Sequence, residues 1–299
     1  MQRPTLRQLE YFTALAQHLN FRVAAEASFV GQPTLSEQIA QLEALVGLRL
    51  FERGRKVTLT PAGEALLPAA ETILAATDGL LETARSLGKP LAGPLRLGVI
   101  PTVGPYLLPT VVPAIRRRHP DLELFLREDQ TNRLVEGLES GALDVLLLDL
   151  GVDLGGLETH ALFADPFLLG VSVADELSER TEVRLEDLAD RSVLLLEEGH
   201  CLRQQTLQLC EAFGGSEQAG FRASSLGTVT QMVAAGLGVT LIPELSRERE
   251  CAAAPDLRTI PFDAEGPGRM IGLAWRKSSP RADEYRLLGE TIAGAYASS

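Results

Sequence analysis

Along the first sixty residues the apolar positions fall into short helical runs. Leu6, Leu9, Phe12, Leu15 and Ala16 recur at helical spacing and predict a first helix, and Arg22 to Ser28 reads as a second, short and rich in alanine. Gly31-Gln32-Pro33-Thr34-Leu35-Ser36 supplies a break and a proline near a helix start, after which Leu35, Ile39, Leu42, Leu45 and Val46 form the stripe of a third. From Leu50 to Thr60 the pattern instead alternates, as two short strands about Gly54-Arg55-Lys56. Past Thr60-Pro61, the residues Leu66, Leu67, Ala70, Ile73, Leu74, Leu80, Leu81, Ala84 and Leu87 return at close to heptad spacing, which predicts a long helix able to pair with a second copy. Lys89-Pro90-Leu91-Ala92-Gly93-Pro94 ends that helix.

Strand and helix periods then alternate. Pro94 to Ile100 reads as a strand, Leu107 to Arg118 as a helix, Leu122 to Glu128 as a strand, Leu134 to Ser140 as a helix and Asp144 to Leu148 as a buried strand. This order predicts an α/β fold with a parallel sheet. A second unit runs from Phe167–Val171 through Val193–Leu196 to Val239–Pro243, and Ile271–Trp275 with the helix after Pro280 returns to the first. The expected organisation is a helical head with a hairpin at 1–60, a linker helix and hinge at 61–92, and an α/β body at 93–299. That domain divides into lobe I, about 93–165 plus 268–299, and lobe II, about 166–267. Crossings near Asp165-Pro166 and Gly266-Pro267-Gly268 would leave a cleft at the strand ends, where α/β proteins bind ligands.

With 299 residues and 45% hydrophobic content, the chain can bury cores for two or three domains. No apolar run approaches the ~18 residues of a membrane span, and Met1 to Arg7 lacks the apolar region of a signal peptide, so a cytoplasmic protein without a membrane partner is expected. A net charge of −12 appears unsuited to nucleic acid, but its distribution changes the picture. Residues 1–60 carry seven basic side chains against five acidic ones, a balance of +2, so the remainder carries −14. A mildly basic head on an acidic body fits a chain that touches DNA at one end. Three short helices with a tight turn before the third make a helix-turn-helix, whose last helix would present Gln32, Thr34, Ser36, Gln38 and Gln41 to the major groove. A plain three-helix bundle with a polar face has the same pattern; the basic hairpin beside it favours a winged-helix reader.

The candidate chemistry lies in Glu197-Glu198-Gly199-His200-Cys201-Leu202-Arg203, with Cys210 beyond it. Only three cysteines are present, without CxxC spacing, and four histidines, so neither a disulfide framework nor a zinc site nor any cofactor is called for. Cys201 sits between His200 and Arg203, whose protonated forms would stabilise a thiolate. On a continuous helix Cys210 would lie about 13.5 Å away along the axis, well beyond the ~7 Å that a disulfide allows between Cα atoms. Joining the two would require the segment to refold. Two cysteines among Leu202, Leu207 and Leu209 are equally read as small buried hydrophobes, and from these residues alone the two readings stand level.

The head motifs Leu6-Arg7-Gln8-Leu9-Glu10-Tyr11-Phe12, Gln32-Pro33-Thr34-Leu35-Ser36-Glu37-Gln38-Ile39, Leu50-Phe51-Glu52-Arg53 and Leu59-Thr60-Pro61-Ala62-Gly63 resemble those of LysR-type transcriptional regulators. The resemblance implies a winged helix-turn-helix joined to an α/β regulatory domain of two periplasmic-binding-protein-like lobes. It puts Gln32, Pro33, Thr34, Ser36, Gln38 and Arg53 at or near double-stranded promoter DNA, in a homodimer or homotetramer, with RNA polymerase as a further candidate partner. Gly31 stands where many relatives carry serine.

Within that family, Glu198 to Arg203 and Cys210, Ile100 to Pro109, Gln130-Thr131, Phe221 to Leu226 and Met232 to Gly236 are similar to the peroxide-sensing members, essentially along the full chain. This resemblance tips the weighing toward a sensor. It implies an activator of oxidative-stress genes in which Cys201 is the thiol oxidised by hydrogen peroxide and Cys210 resolves it as a disulfide. Thr102, Thr131 and His200 would place and polarise the peroxide, with Arg269 near the thiolate. Structural alternatives are a helix cap for Thr102, a local turn for Thr131 and a solvated charge for Arg269, and Cys251 is read as incidental. Gln204 and Glu211 depart from the family pattern, which commonly has an acid and an aromatic there. The rivals are a regulator controlled by a small metabolite in the inter-lobe cleft, and a thiol peroxidase; the winged-helix head argues against an enzyme.

Overall fold

Polar residues at the starts of the apolar runs fix where the head's helices begin. Thr5 caps α1 (Leu6–His18) in a reciprocal box, its hydroxyl accepting from Gln8 N while the Gln8 amide oxygen accepts from Thr5 N. Asn20 caps α2 (Phe21–Ala27), and α3 (Gln32–Val46) starts at Gly31 with Pro33 in its first turn and stops at a left-handed Gly47. Their apolar faces meet in a core of Leu9, Phe12, Leu15, Leu35, Ile39 and Leu42. The expected wing is present: β1 (Phe51–Arg53) and β2 (Val57–Leu59) pair antiparallel with Phe51 opposite Leu59. Phe51 packs edge-on to Phe12, and the Glu43 carboxylate accepts from Leu50 N and Phe51 N, fastening the wing to α3. Thr60 then caps α4 (Pro61–Ser86) by accepting from Gly63 N. Leu66, Leu67 and Leu74 pack on the head's core, whereas Ile73 and Leu80 of the same stripe are exposed.

This computed structural model describes residues 3–54, 57–86, 89–218, 220–263 and 266–298. Arg55, Lys56 and Leu87, and the side chains of Arg53, Leu81, Ala84 and Glu211, lie outside the described residues. The chain divides into two compact units, one centred on Met1–Arg85 and the other made of Ser86–Leu138 and Leu143–Ser299.

In the second unit β3 (Gly93–Val99), α5 (Gly104–Arg118), β4 (Leu122–Glu128), α6 (Thr131–Glu139) and β5 (Val145–Asp149) alternate, and β3 lies parallel between β4 and β5. The sheet does not stay parallel. β6 (Leu157–Ser172) is one continuous strand; after it come β7 (Ser192–Val193), α7 (Cys201–Phe213), β8 (Ser216–Glu217), α8 (Leu226–Ala234), β9 (Thr240–Pro243), α9 (Glu244–Ala253), β10 (Leu257–Pro261), β11 (Gly268–Arg276) and α10 (Ala282–Ala297). The first half of β6 pairs antiparallel with β11, which also pairs antiparallel with β5, and the second half pairs antiparallel with β9 and β10. The sheet is therefore mixed. A chain that leaves a lobe along one strand and comes back along the neighbouring one must come back in the opposite sense.

Two hydrophobic cores part along β6. Leu97, Val99, Leu146, Trp275, Tyr285 and Leu288 belong to the first, and Leu169, Val171, Leu194, Val229, Leu241 and Ile242 to the second. Between them Pro166 pairs with Gly268, and Phe167 N donates to Pro267 O. Helix α9 is tied back to the first lobe twice, Leu245 N donating to Asp165 and the Tyr106 hydroxyl to Glu250. Leu91, which the sequence places in the hinge, is buried in the first core, its N–H donating to the Glu284 carboxylate that Arg281 also binds.

Candidate functional site

Gly199 has φ +95°, a left-handed turn that glycine takes without strain, and it delivers His200 to the N-cap position so that Cys201 opens helix α7. Cys201 is buried in the first core and Cys210 in the second. Both are thiols. Their nine-residue separation on one unbroken helix amounts to about 13.5 Å of rise, so α7 carries one thiol into each lobe. A bond between them requires α7 to unwind.

Three elements of the first lobe act on Cys201: β11 through Arg269, β5 through Asp149 and α6 through Thr131. Arg269 on β11 and Asp165 on β6 are cross-strand partners, joined at 2.9 Å with both side chains fully buried. The same guanidinium donates to the Thr102 hydroxyl at 2.7 Å and to the Thr102 carbonyl at 3.0 Å. Thr102 therefore does not cap α5, whose N-cap position Val103 fills without a side-chain bond, and Arg269 is no solvated charge. Thr131 opens α6; its hydroxyl is buried and closes no hydrogen bond of ordinary geometry, so it serves no local turn either. It faces Cys201 closely enough to favour the thiolate.

The thiol's electrostatics differ from the reading made from its sequence neighbours. Burial pushes the Cys201 thiol up; the Arg269 charge pulls it back down, the Asp149 carboxylate raises it further, and the Thr131 hydroxyl and the Leu202 N–H lower it. Neither expected neighbour is the cation. Burial holds His200 below the ordinary imidazole range, against the opposing pull of Glu197, so it favours the neutral ring. Arg203 turns away, binding both oxygens of Glu217 and the Leu196 carbonyl. On a helix, residues two apart do not share a face, and the Arg203 guanidinium is committed to Glu217 although the residue lines the same cavity as Cys201. The cation comes from β11.

A cavity of about 670 Å³ opens on this place, lined among others by Thr131, Val135, Glu198, His200, Cys201 and Leu207. Thr131, His200 and Cys201 thus share one wall, while Thr102 and Arg269 form a buried layer that does not line the cavity. Sequence reading overlooked the two acids of that layer. Asp165 sits at the lobe crossing, where its charge went unread, and Asp149 ends the apolar run Val145–Leu148, a place where an acid signals a buried partner. Cys251 lies half-buried on α9 with its sulfur 3.8 Å from the Thr259 hydroxyl, in contact with the second core and away from Cys201.

In the head, Gln32, Pro33 and Thr34 are exposed and Ser36 and Gln38 half-buried at the N-terminal end of α3, while Leu35 and Ile39 between them face the core. Gly31 leaves the helix start without a side-chain cap. Gln38 and Gln41 also border a surface hollow with Arg3, a basic residue ahead of α1 that motif reading did not single out. Among the described residues, no helix is long and apolar enough to cross a membrane.

Comparison with known proteins gives two family matches, "LysR substrate binding domain" over residues 88–296 and "Bacterial regulatory helix-turn-helix protein, lysR family" over residues 6–64. A hydrogen peroxide-inducible genes activator of Pectobacterium carotovorum subsp. carotovorum is 43% identical over 290 residues, which is 96% of this chain and 95% of that protein. Among solved structures, a full-length OxyR variant from Pseudomonas aeruginosa has a TM-score of 0.79 at 34% identity, covering 98% of this chain and 95% of its own. A cysteine-to-serine variant of Corynebacterium glutamicum OxyR, bound to hydrogen peroxide, has a TM-score of 0.69 at 38% identity, covering 99% and 94%.

Proposed function

The chain belongs to the LysR family of bacterial transcriptional regulators, and on that premise we propose that it activates transcription in response to hydrogen peroxide through Cys201. The observation that carries this reading is the placement of Cys201: at the start of α7, on the wall of a cavity with Thr131 and His200, with the buried Arg269 cation acting on its sulfur. A helix N-terminus and a fixed cation both favour the thiolate, the form that attacks peroxide, against the burial that holds the Cys201 thiol above its ordinary range.

The thiolate sulfur attacks one peroxide oxygen and the O–O bond breaks. The departing hydroxide takes up a proton and leaves as water, and Cys201 becomes a sulfenic acid. Thr131 and His200 line the path of the peroxide and can hydrogen-bond its oxygens, while Thr102 holds Arg269 in place behind the sulfur. Cys210 then attacks the oxidised sulfur, a second water leaves, and the disulfide retains the two electrons' worth of oxidation. Because the two thiols start in different cores, this second step unwinds α7 and repacks the lobes against each other. In the proposed oligomer, paired through the exposed stripe of α4, such repacking alters how two heads sit on their half-sites, with Gln32, Pro33, Thr34, Ser36, Gln38 and Arg53 at the DNA.

The test is intact-protein mass after one equivalent of peroxide, alongside occupancy of a promoter fragment. Loss of two hydrogens is the expected result, and one or two added oxygens at Cys201 would replace the disulfide step by oxidation of a single thiol. If Cys201→Ser changes its DNA occupancy with peroxide as the parent does, the reading is wrong.

A further inference from the structure

Asp149 ends β5 with a carboxylate that is fully buried and directed at α7. Its Oδ2 accepts from Gln205 Nε2 at 2.6 Å, and its Oδ1 from Gly151 N at 2.9 Å. Gln205 lies four residues after Cys201, on the same face of the helix, so the bond falls one turn beyond the thiol. The other end of that amide is in a different condition. Gln205 Oε1 is buried and has no hydrogen-bond partner among the described residues, an arrangement that costs free energy for as long as α7 stays docked. One atom of the side chain is held by a charge-assisted bond and its neighbour is left without one. That combination suits a joint which holds in one state and opens in another.

We infer that Asp149 and Gln205 are a positioning pair for the oxidation of Cys201: they tie the first two turns of α7 to the first lobe while Cys201 is a thiol, and they part before Cys210 reaches it. The inference rests on the peroxide reading above for its purpose, and on the geometry of β5 and α7 for its existence. Asp149 has a second effect at the same place. The charges that act on Cys201 are Arg269 from β11, itself bound by Asp165 from β6, and Asp149 from β5; His200 precedes the thiol with Glu197 acting on its ring, and Glu136, Asp153, Glu198 and Arg203 line the cavity on which the thiol opens. The Asp149 carboxylate therefore offsets part of the pull of Arg269: its charge restrains the thiol's reactivity, and its bond to Gln205 holds the position of α7.

Two variants of the full-length protein separate these effects. Asp149→Asn removes the charge and leaves an amide that can still bond the Gln205 amide group, while Gln205→Met, of similar volume, removes the bond and leaves the carboxyl group in place. The measurements are the pH profile of Cys201 alkylation by iodoacetamide, located by mass spectrometry, and hydrogen exchange of the amides of residues 205–208 in the reduced protein; circular dichroism checks that each variant is folded. In Asp149→Asn the alkylation profile moves to lower pH while exchange stays close to the parent. In Gln205→Met exchange accelerates by about tenfold or more, the scale of one lost hydrogen bond to a charged group, and the alkylation profile stays in place. A profile that is unmoved or moves upward in Asp149→Asn, or unchanged exchange in Gln205→Met, overturns the inference. Neither measurement uses peroxide. Failure of Cys201 to react with peroxide would sink the sensor reading and leave these results standing, and the converse also holds.

Discussion

Replacing Arg269 by methionine should unfold the body at a markedly lower temperature, and the size of the effect follows from what the guanidinium touches. It donates to Asp165 Oδ2 at 2.9 Å, to Thr102 Oγ1 at 2.7 Å and to Thr102 O at 3.0 Å, with both members of the ion pair wholly buried. Methionine fills most of the volume and satisfies none of these acceptors. Asp165 is left in the interior with Leu245 N as its remaining donor. Removing one partner of a buried pair costs about 3–5 kcal/mol, because the other charge stays behind unpaired. At roughly 2–4 °C per kcal/mol for a domain of this size, the melting transition of the body falls by about 6–20 °C. Asp165→Leu should cost a similar amount for the mirror reason. The double variant Arg269→Met with Asp165→Leu removes both charges and should recover most of the loss, since apolar replacement of a whole buried pair is close to neutral.

Scanning calorimetry of the parent, the two single variants and the double variant measures this cycle. The thiol supplies an independent axis: in both variants lacking Arg269, Cys201 loses the cation that favours its thiolate, so alkylation moves to higher pH whether the protein is stable or not. A stable double variant with a less reactive thiol is the expected signature. The reasoning fails if Arg269→Met melts within a degree or two of the parent, or if the double variant is no more stable than either single one.

Three further expectations concern other parts of the molecule. Burial lowers the folded-state pKa of His200 and, with the Arg118 charge adding to it, of His119, so both imidazoles bind protons more readily once unfolded; their contribution to stability is complete above the ordinary imidazole value of ~6.5 and is lost as pH falls below it. Melting curves from pH 7.5 to about 5.5 should therefore decline, and His200→Asn or His119→Asn should each flatten that slope. Gly63→Ala should destabilise the head by about 1–3 kcal/mol or more, because a Cβ there would lie 2.3 Å from Leu50 O and 2.8 Å from Leu59 Cδ2; a melt of the head and loss of promoter binding report it. If α3 enters the major groove, Gln38→Ala costs about 1–3 kcal/mol at one base position only, whereas Arg53→Ala weakens all sequences alike and lowers the salt slope of binding by about one, both read by titration of promoter and scrambled duplexes.

The head could be read from its residues because nearly every decision there is local. Thr5, Asn20, Gly31-Gln32-Pro33 and Gly47 start and stop three helices by bonds that reach no further than one turn, and the apolar spacing between them selects the buried faces. The alternation from β3 to β5 was legible for the same reason. Its continuation was not. The first half of β6, Leu157–Pro166, carries Glu158, Thr159 and His160 and shows no clean strand period, because what makes it a strand is pairing with β11, formed by a segment about a hundred residues later. The parallel sheet expected from alternation failed at that same seam.

The site divides along a similar line. The choice of Cys201 and Cys210 as redox cysteines over core filler came from the family resemblance, whereas the glycine turn before the first, and the helix that would keep them too far apart to join, follow from residue types and a rise per residue. Which groups set the thiol's charge does not. The neighbours His200 and Arg203 were the natural candidates, yet one is driven toward its neutral form by burial and the other is spent on Glu217. The charges that act on the sulfur, Arg269 and Asp149, arrive from β11 and β5, and Asp165 from β6 holds the first of them in place. Hydrogen-bond patterns that build helices are written in consecutive residues, so the sequence by itself determined the head, the thiols and their separation. Coulomb interactions act through space between whatever side chains the sheet brings together, so the charges that act on the Cys201 sulfur were decided by the tertiary structure.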